Sequence, residues 1–82
     1  MKTIETKYHG PTNVKGSRIS ATDCGDHRIF IPYDSALNSE DNHAAAAIAL
    51  KHKLSWTGEM IGGHTKSGMV FVFINDASPR IL

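Results

Sequence analysis

Apolar and polar positions alternate along Thr3-Ile4-Glu5-Thr6-Lys7-Tyr8. Ile4, Thr6 and Tyr8 fall on one side and Thr3, Glu5 and Lys7 on the other, the period of two that marks a half-buried β-strand. The same period returns at Arg18-Ile19-Ser20-Ala21-Thr22, with Ile19 and Ala21 inward. A third strand is predicted over Arg28-Ile29-Phe30-Ile31-Pro32-Tyr33, where Pro32 must lie at the strand's end or on a sheet edge because it lacks an N–H. The run His9-Gly10-Pro11-Thr12-Asn13-Val14-Lys15-Gly16-Ser17 is rich in turn formers and reads as a loop. Asp23-Cys24-Gly25-Asp26 supplies the chemistry of a tight turn.

The period then changes. Asn38 or Ser39 is placed to cap a helix running to about Leu54. Glu40 and Asp41 in its first turn and Lys51, His52 and Lys53 in its last both suit the helix dipole. Its best inward stripe is His43, Ala47, Leu50 and Leu54, with Ala44 and Ile48 on a shoulder. The run Ala44–Ala47 favours helix and allows a close approach to a sheet, and Trp56 is expected to seal one end of the core. Two further strands are predicted, Gly58–Gly63 and Met69–Ile74, joined through a turn at His64–Gly68. The last is apolar on both sides: Met69, Phe71 and Phe73 on one, Val70, Val72 and Ile74 on the other. One helix covers only one side, so the other requires a loop or another chain, which predicts a homodimer or a protein-binding surface. The expected fold is α+β: an antiparallel sheet of about five strands, in the order β-β-β-α-β-β, with one helix packed on one face.

Length and charge narrow the function classes. Eighty-two residues, 40% hydrophobic and 21% charged, make one foldable domain over residues 1–82. A domain of this size buries only roughly 60% of its unfolded surface, so it is expected to be marginal alone or helped by a partner subunit. A net charge of +1 argues against both a polybasic, histone-like protein and an acidic mimic of DNA. The single cysteine, Cys24, allows no intrachain disulfide and fits a reducing cytoplasm. The N-terminal MKTIETKYHG lacks the apolar segment of a signal peptide. The runs Ala44–Leu50 and Met69–Ile74 fall far short of the about 20 residues that span a membrane.

Charge is nonetheless uneven along the chain. Lys2, Lys7, Lys15 and Arg18 outweigh Glu5 in the first segment. Asp23, Asp26, Asp34, Glu40 and Asp41 outweigh Arg28 in the middle, and Lys51, Lys53, Lys66 and Arg80 outweigh Glu59 and Asp76 at the end. Such a pattern gives a domain two-signed surfaces that can orient a partner, although an ordinary solvated surface has the same composition. In the loop Gly10–Arg18, Thr12, Asn13 and Ser17 offer hydrogen-bonding groups beside the charges of Lys15 and Arg18, a set able to hold phosphates or a carboxylate. The phosphate-loop pattern GxxxxGK[ST] is absent, and a plain hairpin connection accounts for the same residues. Lys15, Arg18, Lys51, His52, Lys53 and Lys66 can also form one basic patch for nucleic acid, with Tyr8 or Tyr33 as stacking platforms. Asn13, Lys15, Arg18, Lys51, Lys53 and Lys66 are therefore the candidate partner contacts.

Catalytic chemistry finds little footing. His9, His27, His43, His52 and His64 are scattered, without metal-ligand spacing, and His43 falls on the inward stripe as a core histidine. Cys24 and His27 share a tight turn, where an aligned nucleophile and base are seldom held. The pairs Asp23/Asp26 and Glu40/Asp41 read as turn and cap residues. Neither an enzyme, a metal nor a cofactor is expected.

Three stretches, TKYHGPTNVKGSRISA, RIFIPYDSALNSEDNHAAAAIALKHKLSW and GGHTKSGMVFVF, are together similar to short uncharacterised proteins of bacteriophages, plasmids and integrated elements of proteobacteria. The similarity spans roughly Thr6 to Phe73, and Gly10-Pro11-Thr12-Asn13 with Lys15-Gly16-Ser17-Arg18-Ile19 is its most specific part. It implies a setting and carries over no catalytic residue. Small non-enzymatic proteins of mobile elements often bind a host protein or nucleoprotein complex, as anti-CRISPR proteins do. The resemblance implies a non-catalytic binding protein in the host cytoplasm, inhibiting a nucleic-acid-directed defence. The alternative is a nucleic-acid-binding accessory protein using the same basic residues.

Overall fold

The alternation in the first segment becomes the centre of the sheet. A computed structural model describes residues 2–74, and in it β1 (Thr3–His9) pairs antiparallel with both β2 (Arg18–Asp23) and β5 (Gly68–Phe73). β3 (Arg28–Pro32) adds to β2, and β4 (Met60–His64) adds to β5, giving the order β3-β2-β1-β5-β4. The fold is therefore α+β, with five antiparallel strands and one helix, α1 (Ser39–Lys53), inserted between β3 and β4. Pro32 closes β3 on a sheet edge, where its missing N–H leaves no ladder bond unmade.

Register decides which side chains meet. Tyr8 lies opposite Ile19, Thr6 opposite Ala21 and Met69, and Ile4 opposite Phe71. These residues point toward α1, and Ile4, Ile19, Ala21, Met69, Phe71 and Phe73 are buried there against Ala46, Ala47 and Leu50. The small alanines let the helix backbone approach the sheet. Trp56 packs edge-on to Phe73, 5.6 Å between ring centroids, and closes the core beyond the helix C-terminus. Two glycines are fixed by close approach. A Cβ on Gly68 would stand 1.9 Å from the Thr6 carbonyl oxygen, and one on Gly62 would strike the Phe71 ring at 2.5 Å.

The helix begins as its composition dictates, with Asn38 as N-cap and its Oδ1 accepting from the Asp41 N–H at 2.8 Å. Its inward stripe is rotated from the expected one. Asn42, His43, Ala46, Ala47 and Leu50 are buried, Leu54 is half-buried, and Ile48 is 46% exposed. The reason is Asn42. Its Oδ1 accepts from Asp34 N–H at 2.7 Å, and its Nδ2 donates to the carbonyls of Asp34 and Asn38 at 2.9 and 3.0 Å. A longer bond of 3.3 Å reaches Leu37. This polar side chain satisfies the backbone of the β3–α1 connection, and turning it inward brings Ala46 to the core and leaves Ile48 at the flank.

His43 is buried one position on, its Nδ1 2.7 Å from the Thr6 hydroxyl of the central strand. Burial lowers its pKa from the ordinary 6.5, and the nearby His64 lowers it further. At the opposite end of the sheet, Asp23 ties the β2–β3 turn. Its Oδ1 accepts from the N–H groups of Gly25 and His27, and its Oδ2 lies 2.9 Å from His27 Nδ1. Burial opposes ionisation of this carboxyl. The backbone and side-chain hydrogen bonds from His27, with that from Gly25, outweigh it and hold the pKa below the usual value. Asp26 completes the turn at φ 69°, the left-handed region that Asp tolerates.

Two consequences are measurable. Asn42→Ala should lower the free energy of unfolding by on the order of 2–3 kcal/mol, because the Asp34 N–H and the connection's carbonyls lose their partner; a denaturant melt with an unchanged midpoint would contradict the role given to Asn42. His43 has a depressed folded-state pKa, so its contribution is fully present above about 6.5 and lost as pH falls from there toward the folded value. Denaturant midpoints should thus drop between neutral and mildly acidic pH, with a smaller drop in His43→Leu; equal slopes in the two proteins would refute the assignment.

Candidate binding face

The side of the sheet away from α1 carries the alternate set of residues. Pairing sets Arg18 beside His9, Ser20 beside Lys7 and Phe30, and Thr22 beside Glu5 and Arg28. On the other flank, Val70 and Val72 of β5 sit next to Gly63 and Ile61 of β4. No described element covers this face. On its β4–β5 flank Val70 and Val72 are half-buried, and Ile61 is 57% exposed.

The face is divided by chemistry. Its β4–β5 flank is apolar, and its β1–β2–β3 flank carries Lys7, His9, Arg18 and Arg28 against one carboxylate, Glu5. None of the three permanent cations is ion-paired among the described residues. Arg28 Nε donates to Thr22 Oγ1 at 3.1 Å, and the Arg18 guanidinium lies over the Phe30 ring at 5.4 Å. His9 sits among them, its Nε2 2.9 Å from Ser20 Oγ and its ring tilted against Phe30 at 5.3 Å. Partial burial lowers the His9 pKa, and Arg18, Lys7 and Arg28 lower it further in that order. A shallow groove of about 220 Å³ crosses this flank, with Lys7, His9, Thr22 and Arg28 along it beside the carboxylate of Glu5, and Thr65 and Ser67 of the β4–β5 turn at its far rim.

The residues singled out in the sequence are divided between two ends of the molecule. Arg18 lies on the open face. Lys15 and Asn13 are exposed in the β1–β2 loop, which Thr12 organises: its N–H donates to the Lys15 carbonyl, and its hydroxyl accepts from the N–H groups of Val14 and Lys15. Lys66 is exposed in the β4–β5 turn, at the same end because Gly68 pairs with Lys7 late in β1. Lys51 and Lys53 belong to the last turn of α1, at the opposite end, where Lys2 and Trp56 meet. Lys51 is engaged there by the Gly58 carbonyl. The helix runs away from the loop and the turn, so these lysines do not join them in one patch. Arg80 and Asp76 lie outside the described residues.

The tyrosines also stand elsewhere. Tyr8 points to the helix side of the sheet, edge-on to Tyr33 at 5.4 Å, with its hydroxyl 3.0 Å from Ser17 Oγ. The aromatic groups on the open face are Phe30 and His9. Along with Lys7 and Arg28, they escape a reading along the chain, because only register brings them together. The signal that could find them is Phe30 itself, an aromatic residue on the polar side of an alternating strand.

Other chemistry is sparse. The exposed Cys24 thiol makes no hydrogen bond to His27, whose Nδ1 is taken by Asp23. Among the described residues no three acidic, histidine or cysteine side chains gather as metal ligands, and no helix is long and apolar enough to cross a membrane. His64 and Glu40, 3.4 Å apart, join β4 to the first turn of α1 as a surface pair. Compared with protein-family models, curated proteins and solved structures, the chain matches none.

Proposed function

We propose that the protein is a non-catalytic binding protein that holds a nucleic acid by its phosphates on the open face of the sheet. The observation that carries this reading is the cluster of Lys7, Arg18 and Arg28 around His9, unpaired by carboxylates on a face that no described element covers. Three cations grouped on one surface attract a polyanion even where the whole chain is nearly neutral, because the local potential and not the net charge meets the ligand. Lys15 and Lys66 flank the same end of the sheet and extend the positive surface past the groove.

A second reading keeps the mobile-element setting: an inhibitor of a host nucleic-acid-directed defence, with a host protein or nucleoprotein complex as its target. The apolar flank favours it. Ile61, with Val70 and Val72 beside the unpaired edge of β4, offers a surface that a phosphate backbone does not use. Self-association along that edge belongs to this reading.

Fluorescence anisotropy with labelled DNA and RNA oligonucleotides, from low to physiological salt, separates the two. The first reading predicts binding that weakens as salt rises. The double variant Lys7→Ala/Arg28→Ala should bind about tenfold more weakly, with the salt slope reduced by roughly 1.5, whereas Lys51→Ala/Lys53→Ala should bind as the parent does. Absence of binding at low salt overturns the first reading and leaves the protein target.

A further inference from the structure

Resting on that reading, we propose that the face takes a single strand, with an unpaired base stacked on Phe30 and the adjoining phosphates held by Lys7, Arg18 and Arg28. Phe30 is the least explained side chain of the sheet. It is 48% exposed, and its neighbours across β2 are Ser20 and Lys7, so it belongs to no hydrophobic cluster. Its ring is instead held among groups that recognise planar or anionic partners. The His9 ring is tilted against it at 59°, and the Arg18 guanidinium lies 5.4 Å from its centroid. Aromatic rings and guanidinium planes beside positive charge are the elements on which single-stranded bases stack.

A duplex uses this arrangement poorly. Its bases are stacked on one another and meet a protein only by their edges, whereas a base lying on Phe30 must be unpaired. The ground next to Phe30 suits such a base. Ser20, paired with Phe30, and Thr22, paired with Arg28, are small side chains of the groove that leads from there toward β1, and Glu5 is its one carboxylate. A single strand crossing β3, β2 and β1 would thus find stacking at the β3 edge, small side chains in the middle and cations on both sides.

The test compares labelled single strands of about twelve nucleotides, in deoxy and ribo form, with the duplex of the same sequence at physiological salt. Single strands of either sugar should bind about tenfold or more tightly than the duplex. Phe30→Ala should weaken single-strand binding by about five- to hundredfold while leaving the salt slope unchanged, because stacking releases no counterions. Phe30→Trp should retain binding, which guards against a loss caused by misfolding. Duplex binding as tight as single-strand binding, with Phe30→Ala indistinguishable from the parent, overturns the stacking assignment and leaves the phosphate reading standing. Failure of the parent protein to bind either form at low salt overturns both.

Discussion

One short helix must cover a five-stranded sheet, and it covers one side. The packing of Ala46, Ala47 and Leu50 onto Ile4, Ile19 and Phe71 supplies the core, and the alanines allow the approach that makes so thin a layer work. Everything on the other side follows from this. Strand β1 is central, and its outward residues Glu5 and Lys7 are polar and exposed, with His9 half-buried beside them. The sheet therefore behaves as a wall, apolar toward the helix and polar toward solvent over three of its strands. What remains on the polar side is free to recognise a ligand without weakening the core.

Two polar contacts fix how the helix lies on the wall. Asn42 holds the connection from β3, and His43 reaches the Thr6 hydroxyl of the central strand. Both are buried, so their orientation is costly to change, and both belong to the helix's first half. They set the helix N-terminus over the late part of β1, near the β4–β5 turn, as the His64–Glu40 contact also records. The last turn, with Lys51 and Lys53, is carried to the far end. The separation of the basic residues into two groups is thus a result of packing.

The first three strands and the helix were legible from their side-chain periods and caps, whereas β5 shows only as an apolar run and β4, with Gly62 and Gly63 inside it, carries no period at all. Ile4, Thr6 and Tyr8 alternate with charged and polar neighbours, and Asn38 with Glu40 and Asp41 announces the helix start. The helix stripe was less so. Asn42 is polar, and polarity alone assigns it outward; its burial depends on three backbone carbonyls and an N–H that only the tertiary structure brings within reach. The binding face was the least legible. Lys7, Ser20, Thr22, Arg28 and Phe30 are dispersed over the first thirty positions, and their proximity comes from the registers of two hairpin pairings. Sequence clusters such as Lys51-His52-Lys53 draw attention because they are adjacent in the chain, a different property from sharing a surface.

If the open face is the binding surface, a bound ligand must perturb the backbone there and nowhere near the end of α1. Amide chemical-shift changes should be followed as an unlabelled single-stranded oligonucleotide is added to isotope-labelled protein. Shifts should concentrate at Lys7, His9, Ser20, Thr22, Arg28 and Phe30, with the last turn of α1 unmoved. Shifts centred on Lys51 and Lys53, with the open face silent, would contradict it.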